Sequence, residues 1–305
     1  MLRRIAGHLF WAARYLERAQ WRARLIDVNY ALVLEVPPRD AEPWEPLLAI
    51  TAETEKFGMS HSVADEARVV GFFTFDKENP SSIRNCVESA RTNLASLRHL
   101  ISSELWLEIN KLYLDAKSWS ADALAIAGMS AFFGELRDRF HAITGIISST
   151  MPRDAAYYFM ELGTMIERAD NVSRMLDVKY HYLLPRFEDV GGPSDLRQWA
   201  AVLRSASALE AFRKTYGNAM RVDRVVEMLV LNPRFPRSVR FCLDRIAVAL
   251  KEIELCEMAR PPHEPAYDGP LAPMLAGAAA DVIASGLHEF LISVERECSG
   301  ISDRI

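Results

Sequence analysis

Cysteine, glycine and proline are all scarce in this chain, and each scarcity removes a class of fold. The 305 residues hold four cysteines: Cys86, Cys242, Cys256 and Cys298. No two form a Cys-x-x-Cys pair and no histidine stands at finger-like spacing, so a structural zinc site has no ligand set to draw on. A chain of this length builds a core without disulfides. The plain reading is reduced, buried thiols in a cytoplasmic protein. Fourteen glycines and fifteen prolines are too few for a turn-rich all-β protein. Long hydrophobic runs are missing as well, with no stretch of about 18 apolar residues to span a bilayer. In the opening MLRRIAGHLFWAARYLERAQ, Arg14, Glu17 and Arg18 interrupt the apolar stretch before it reaches the length of a secretory core. Excess charge of one sign is absent too. Thirty-six basic against 41 acidic residues leave a net charge of −5, which gives no broad attraction for nucleic acid or an anionic membrane.

The chemical motifs of several enzyme classes are also missing. Gly-x-x-x-x-Gly-Lys, Gly-x-Gly-x-x-Gly and Gly-x-Ser-x-Gly do not occur, so no known phosphate loop or nucleophile elbow is present and no cofactor is expected. Dinuclear metal centres in helical bundles use a pair of Glu-x-x-His motifs. Here the nearest match is a single Asp138-x-x-His141. Asp177 and His181 lie one turn apart, but the matching pair is Asp27 and Ala31, so no metal site is expected either.

What is present is helical period. Half the residues are apolar and a quarter charged. Ile5, Leu9, Ala12, Leu16, Ala19, Ala23, Ile26 and Tyr30 recur at three- and four-residue steps, predicting one helix over 2–34 that stops at Pro37-Pro38. Further helices are predicted over 43–56, 61–74, 80–118 with a break near Ser102-Ser103, 130–149 and 153–184. The pattern continues over 194–215, 218–231, 236–259 and 271–298, with loops at 185–193 and 260–273. The expected fold is all-α, a bundle of about ten helices forming a single domain over 1–305.

The strongest organisational signal is internal. Residues 17–30 match 167–180 at an offset of 150, with seven identities in fourteen positions: Glu17/Glu167, Arg18/Arg168, Ala19/Ala169, Arg24/Arg174, Asp27/Asp177, Val28/Val178 and Tyr30/Tyr180. A second block follows at an offset of 156. There Pro80-x-Ser82-Ile83-Arg84-x-Cys86-Val87-Glu88 matches Pro236-x-Ser238-Val239-Arg240-x-Cys242-Leu243-Asp244. The same order at nearly the same offset predicts a tandem duplication, with repeat units of about 1–150 and 151–305 related by a pseudo-two-fold.

The first block concentrates charge. On a helix Arg14, Glu17, Arg18, Arg24 and Asp27 occupy neighbouring rows, as do Glu167, Asp170, Arg174 and Asp177. One reading is a set of i,i+3 and i,i+4 ion pairs along each helix, each contributing a few tenths of a kcal/mol. The other places Glu17 and Glu167 in a polar cleft shared by the two copies, with arginines clamping the carboxylate of an amino acid or peptide. In the second block Pro80 and Pro236 suit the first helical position, Asn79 suits the cap, and Ser82 and Ser238 suit the first turn. Arg84 and Arg240 would then sit near helix N-termini, where the dipole demands an anion: Glu17, Glu167 or a ligand. Cys86 and Cys242 read as small core residues at equivalent positions.

These blocks resemble the bacterial alpha-E family, an all-helical family of unknown function. The resemblance is carried by MLRRIAGHLFWAARYLERAQWRARLIDVNY, MIERADNVSRMLDVKYHYLLP, ENPSSIR-C and NPRFPRSVRFCLD, which together cover essentially the whole chain. Thr164 departs from it, standing where an arginine matching Arg14 is usual, and Ala31 replaces a frequent histidine. The resemblance implies neighbours: a circularly permuted ATP-grasp protein and a transglutaminase-like peptidase, in systems that make and cleave amide or peptide bonds. It carries motif roles onto Glu17, Arg18, Arg24, Asp27, Glu167, Arg168, Arg174 and Asp177. The expected function is a non-ATP-binding accessory that partners the ligase and holds an amino-acid or peptide substrate. An enzyme with Glu17 and Glu167 as acid and base, clamped substrate on Arg14, Arg18, Arg24, Arg84, Arg168, Arg174 and Arg240, is one alternative. A purely structural bundle that dimerises as a homo-oligomer is the other.

Overall fold

The apolar stripe read near the start of the chain becomes the longest helix of the molecule, Arg3–Glu35 (α1). The structure, a computed structural model, describes residues 3–35, 43–181, 192–258 and 269–304. After α1 come Glu45–Ile50 (α2), Thr54–Gly58 (α3), Glu66–Thr74 (α4), Ile83–Ala95 (α5) and Ser103–Ala116 (α6). Ala121–Ala127 (α7), Met129–Thr150 (α8), Ala155–His181 (α9), Pro193–Ser205 (α10) and Leu209–Tyr216 (α11) follow. Val222–Val226 (α12) runs into a π-helical turn at Glu227–Leu231, and Val239–Met258 (α13), Ala272–Leu275 (α14), Ala279–Ala284 (α15) and Leu287–Arg304 (α16) complete the chain. Among the described residues there is no strand, and the all-α class holds.

Sixteen α-helices stand among the described residues where about ten were expected, and local backbone geometry accounts for the difference. The segment expected over 43–56 is cut by Ala52 at φ 55°, and that over 194–215 by Ser207 at the same value, a left-handed turn that no helix tolerates. The segment over 271–298 is divided at Gly286, φ 104°. Helix α7 was not expected; Ser120 caps its start, and Gly128 at φ 83° separates it from α8. The break near Ser102 is where it was predicted, with Ser102 capping α6. Most of the loops expected at 185–193 and 260–273, and the stop at 37–38, lie outside the described residues.

Two helices form the centre. Helix α1 packs on α9; α5 and α8 flank α1, while α13 and α16 flank α9. Contacts advance together along both central helices, from Phe10 against Gly163, to Arg14 on Glu167, to Glu17 on Arg168, so the two run parallel. Their closest approach requires glycine: a Cβ on Gly163 would lie 2.3 Å from the Phe10 carbonyl oxygen and 3.3 Å from the Cβ of Ala13. Because α1 is wrapped on so many sides, its polar residues Arg14, Glu17, Gln20, Arg22 and Arg24 are buried with the apolar ones. A buried charge must be paired or the helix would not stay there.

The second block caps rather than starts its helices with proline. Ser82 Oγ accepts from Asn85 N (3.3 Å) and Ser238 Oγ from Phe241 N (3.1 Å), so Pro80 and Pro236 fall two residues before the cap instead of at the first helical position. Asn79, expected as a cap, instead turns the chain by accepting from Ser81 N (3.0 Å) and is fully buried. Cys86 and Cys242 are fully buried, and burial pushes their thiols up to about 11 and about 12. They are inert core residues.

Candidate functional site

The charged rows of α1 and α9 meet across the central interface, each satisfied from the other helix. Glu167 accepts from Arg14 Nε (2.8 Å) and is gripped by Arg18 through Nε (2.7 Å) and Nη2 (3.0 Å). Reciprocally, Glu17 lies 3.0 Å from Arg168 Nε and accepts from Arg237 Nη1 (2.6 Å). Adjacent residues on a helix point about 100° apart, so a Glu-Arg dipeptide can send its acid to the partner helix and receive that helix's acid on its base. Glu17 and Glu167 are 3% and 1% exposed. Burial opposes their ionisation, yet the paired guanidiniums outweigh it and hold both carboxyls below the ordinary range. Arg18 is held charged in turn by Glu167 against its own burial.

A general acid needs a raised pKa, which neither glutamate has. Pairing along the helix is also present: Arg174 donates through Nε to Asp170 Oδ2 (3.0 Å) within α9. Arg174 also lies 3.6 Å from Glu295, and Asp177 pairs with His288. On α1, Asp27 lies 3.7 Å from Arg137 of α8, and Arg24 donates to Ser207 Oγ and to His141 Nε2 (3.1 Å). Burial and the neighbouring Arg237 bring Arg24 down to about 10, and burial with three nearby arginines keeps His141 neutral.

Two expected arginines stand apart from this layer. Arg240 donates to the Leu275 carbonyl (3.0 Å) and lies 3.9 Å from Asp244, while Arg84 has no ion pair among the described residues. The anion partners expected for them, Glu17 or Glu167, are taken by others. From the second block the arginine that reaches Glu17 is Arg237, two residues before the start of α13, where the chain passes the interface before turning outward. The sequence signal for it was a mismatch: Arg237 aligns with Ser81. Gln20 and His141 were also missed. Gln20 is buried, aligns with Asp170, and makes no hydrogen bond among the described residues.

Beside Glu17 a cavity of about 100 Å³ opens between α1, α8 and α9. Two carboxylates line it, Glu17 and Glu161, the second held by Arg245 (2.8 Å), together with Gln20, Thr144, Ser148, Tyr157, Thr164 and Arg168; Leu16, Ile143, Met160 and Met165 form much of the rest. The cavity lies at Thr164, the counterpart of Arg14, so it opens where the other half has an arginine side chain. Arg168 has an unspent donor there. Its Nε lies 3.0 Å from Glu17 without an aligned hydrogen bond. No group of three metal-ligating side chains occurs among the described residues.

The Glu-Arg dipeptides at 17–18 and 167–168 are the decisive feature for kinship. A family model named Alpha-E, described as a predicted alpha-helical domain with a conserved ER motif, matches residues 1–305. This chain belongs to the Alpha-E family. Among curated proteins it is similar to uncharacterized proteins of Mycobacterium bovis and of two strains of Mycobacterium tuberculosis. Each is 22% identical over 268 residues, covering 82% of this chain but 30% of the relative. The Alpha-E chain thus spans under a third of the length of the curated relatives it matches. No solved structure matches. Among the described residues, no helix is long and apolar enough to cross a membrane.

Proposed function

We propose that this Alpha-E protein is a helical accessory of a bacterial amide- or peptide-bond-forming system. In this reading it partners a circularly permuted ATP-grasp ligase, alongside a transglutaminase-like peptidase, and holds an amino-acid or peptide substrate. One observation carries the preference for binding over catalysis. Both motif glutamates are buried, ionised and doubly held by arginine, and the cavity beside Glu17 adds Arg168, Gln20 and a second arginine-held acid, Glu161. Such a layer is rigid and already neutralised, which suits a platform and not proton transfer. The mycobacterial relatives support a working partner, since the matched helical unit there accompanies a larger remainder of the same chain.

Co-expression tests the reading. With the ATP-grasp protein encoded beside it, the chain should co-purify as a stable complex or raise the rate of amide-bond formation. The absence of both a complex and an acceleration would overturn the proposal.

A further inference from the structure

The two halves of the central layer differ in charge balance. Around Glu167 three guanidiniums, Arg14, Arg18 and Arg174, meet three carboxylates, Glu167, Asp170 and Glu295. Around Glu17 three guanidiniums, Arg24, Arg168 and Arg237, meet only Glu17 within ion-pair distance among the described residues, and the cavity's other acid, Glu161, is already matched by Arg245. Where Asp170 serves Arg174, the matching residue to Arg24 is the neutral Gln20. Where Glu295 approaches Arg174, the group touching Arg24 is the imidazole of His141. Two negative charges present in one half are therefore missing from the other, and the half that lacks them is the one with the cavity.

We propose that this cavity binds a carboxylate carried on a short hydrocarbon stem, the chemistry of an aspartyl or glutamyl side chain or of a peptide terminus. The inference rests on the substrate-holding part of the reading above and names what is held. Arg168 and Gln20 line the cavity and are both at least nine-tenths buried; Arg168 Nε lacks an aligned hydrogen bond, and the Gln20 amide makes none among the described residues. Leaving such donors without a partner is unfavourable, and an entering carboxylate satisfies them. Arg24 stands one turn beyond Gln20 on α1, its Nε buried without a hydrogen bond, and adds attraction from behind. Glu17 does not repel the ligand strongly because Arg168 and Arg237 already neutralise it.

The walls select the stem. Leu16, Ile143, Met160 and Met165 offer contact to methylenes and nothing to a bare inorganic ion. The volume matches about three waters at roughly 30 Å³ each, enough for a carboxylate with one or two carbons behind it.

The test uses the full chain and propionate, followed by calorimetry and saturation-transfer NMR, with propionamide and inorganic phosphate as controls. Propionate should bind at one site, with propionamide at least about tenfold weaker, since the charge is what the arginines read. Gln20→Glu supplies the missing carboxylate from the protein and should abolish propionate binding. Thr164→Met fills the cavity and should do the same, which keeps the proposal testable if the first variant does not fold. No propionate binding up to about 10 mM, equal binding of propionamide, tighter binding of phosphate, or undiminished binding by the folded variants would each overturn it. No ligase is present in this experiment. Propionate binding without a ligase complex would retire the partner and keep the site; a ligase complex without propionate binding would do the reverse.

Discussion

The Glu167 layer and the Glu17 layer are built from the same dipeptide on parallel helices, yet one is closed and the other open. Around Glu167 every guanidinium has a carboxylate, and Arg14 fills the space beside it, also donating to Ser302 Oγ (3.0 Å). Around Glu17 the counterpart of Arg14 is Thr164, whose hydroxyl turns back to the Met160 carbonyl (3.0 Å). Arg237 arrives from a different element to replace the lost guanidinium, entering from the α13 side and leaving the space near Thr164 empty. The contrast separates two jobs that one motif performs. The crossed Glu-Arg pairs join the helices; the substitutions around one of them create room and unspent charge.

Breaking the closed layer should have the largest effect. Glu167→Gln leaves Arg14 and Arg18 buried without an acid, and should lower unfolding free energy by about 3–5 kcal/mol in urea titrations. A loss under about 1 kcal/mol would show that water replaces the carboxylate there. The same variant should change the acid limb of stability. Both carboxyls are held below their free value of 4.5, so on acidification the unfolded chain takes up their protons first. Their contribution is complete above pH 4.5 and fades as pH falls through the lower folded values, and removing Glu167 should make that decline shallower.

The next effect lies at the crossing itself. Gly163→Ala drives a methyl into the Phe10 carbonyl, and separating the helices should cost about 1–3 kcal/mol. Its structural counterpart Ala13 already carries a Cβ, so an unchanged Tm in Gly163→Ala would mean the crossing slides to a symmetric arrangement. The smallest effect sharpens the contrast between neighbouring arginines of the second block. Arg84→Ala should stay within about 0.5 kcal/mol of the parent, since Arg84 has no ion pair to lose among the described residues.

The helical architecture was legible because period and proline act locally. The stripe from Ile5 to Tyr30 and the break near Ser102 read correctly for that reason, whereas Ser82 and Ser238 proved to be caps and not first-turn residues. The cuts at Ala52 and Ser207 were hidden, since neither residue type announces a positive φ. The site was legible in its members and not in its pairings. Spacing along α1 permits Arg14, Glu17 and Arg18 to satisfy one another, and only the fold shows that α9 wins them. Arg237 lay in a block with a different offset, and Gln20 drew no notice because an amide beside arginines is unremarkable until Asp170 is seen performing the same task with a charge.

The parallel register of α1 and α9 also orders events in time. Glu167 lies 153 positions after Arg14, so a nascent chain has made all of α1, α5 and α8 before the acid that anchors Arg14 and Arg18 exists. Until then the first half carries stranded charge along a helix meant for an interior, and pairings this distant in sequence form slowly. The two halves therefore commit to their final state together, and a chain cut short near residue 150 lacks the acid that lets Arg14 and Arg18 be buried.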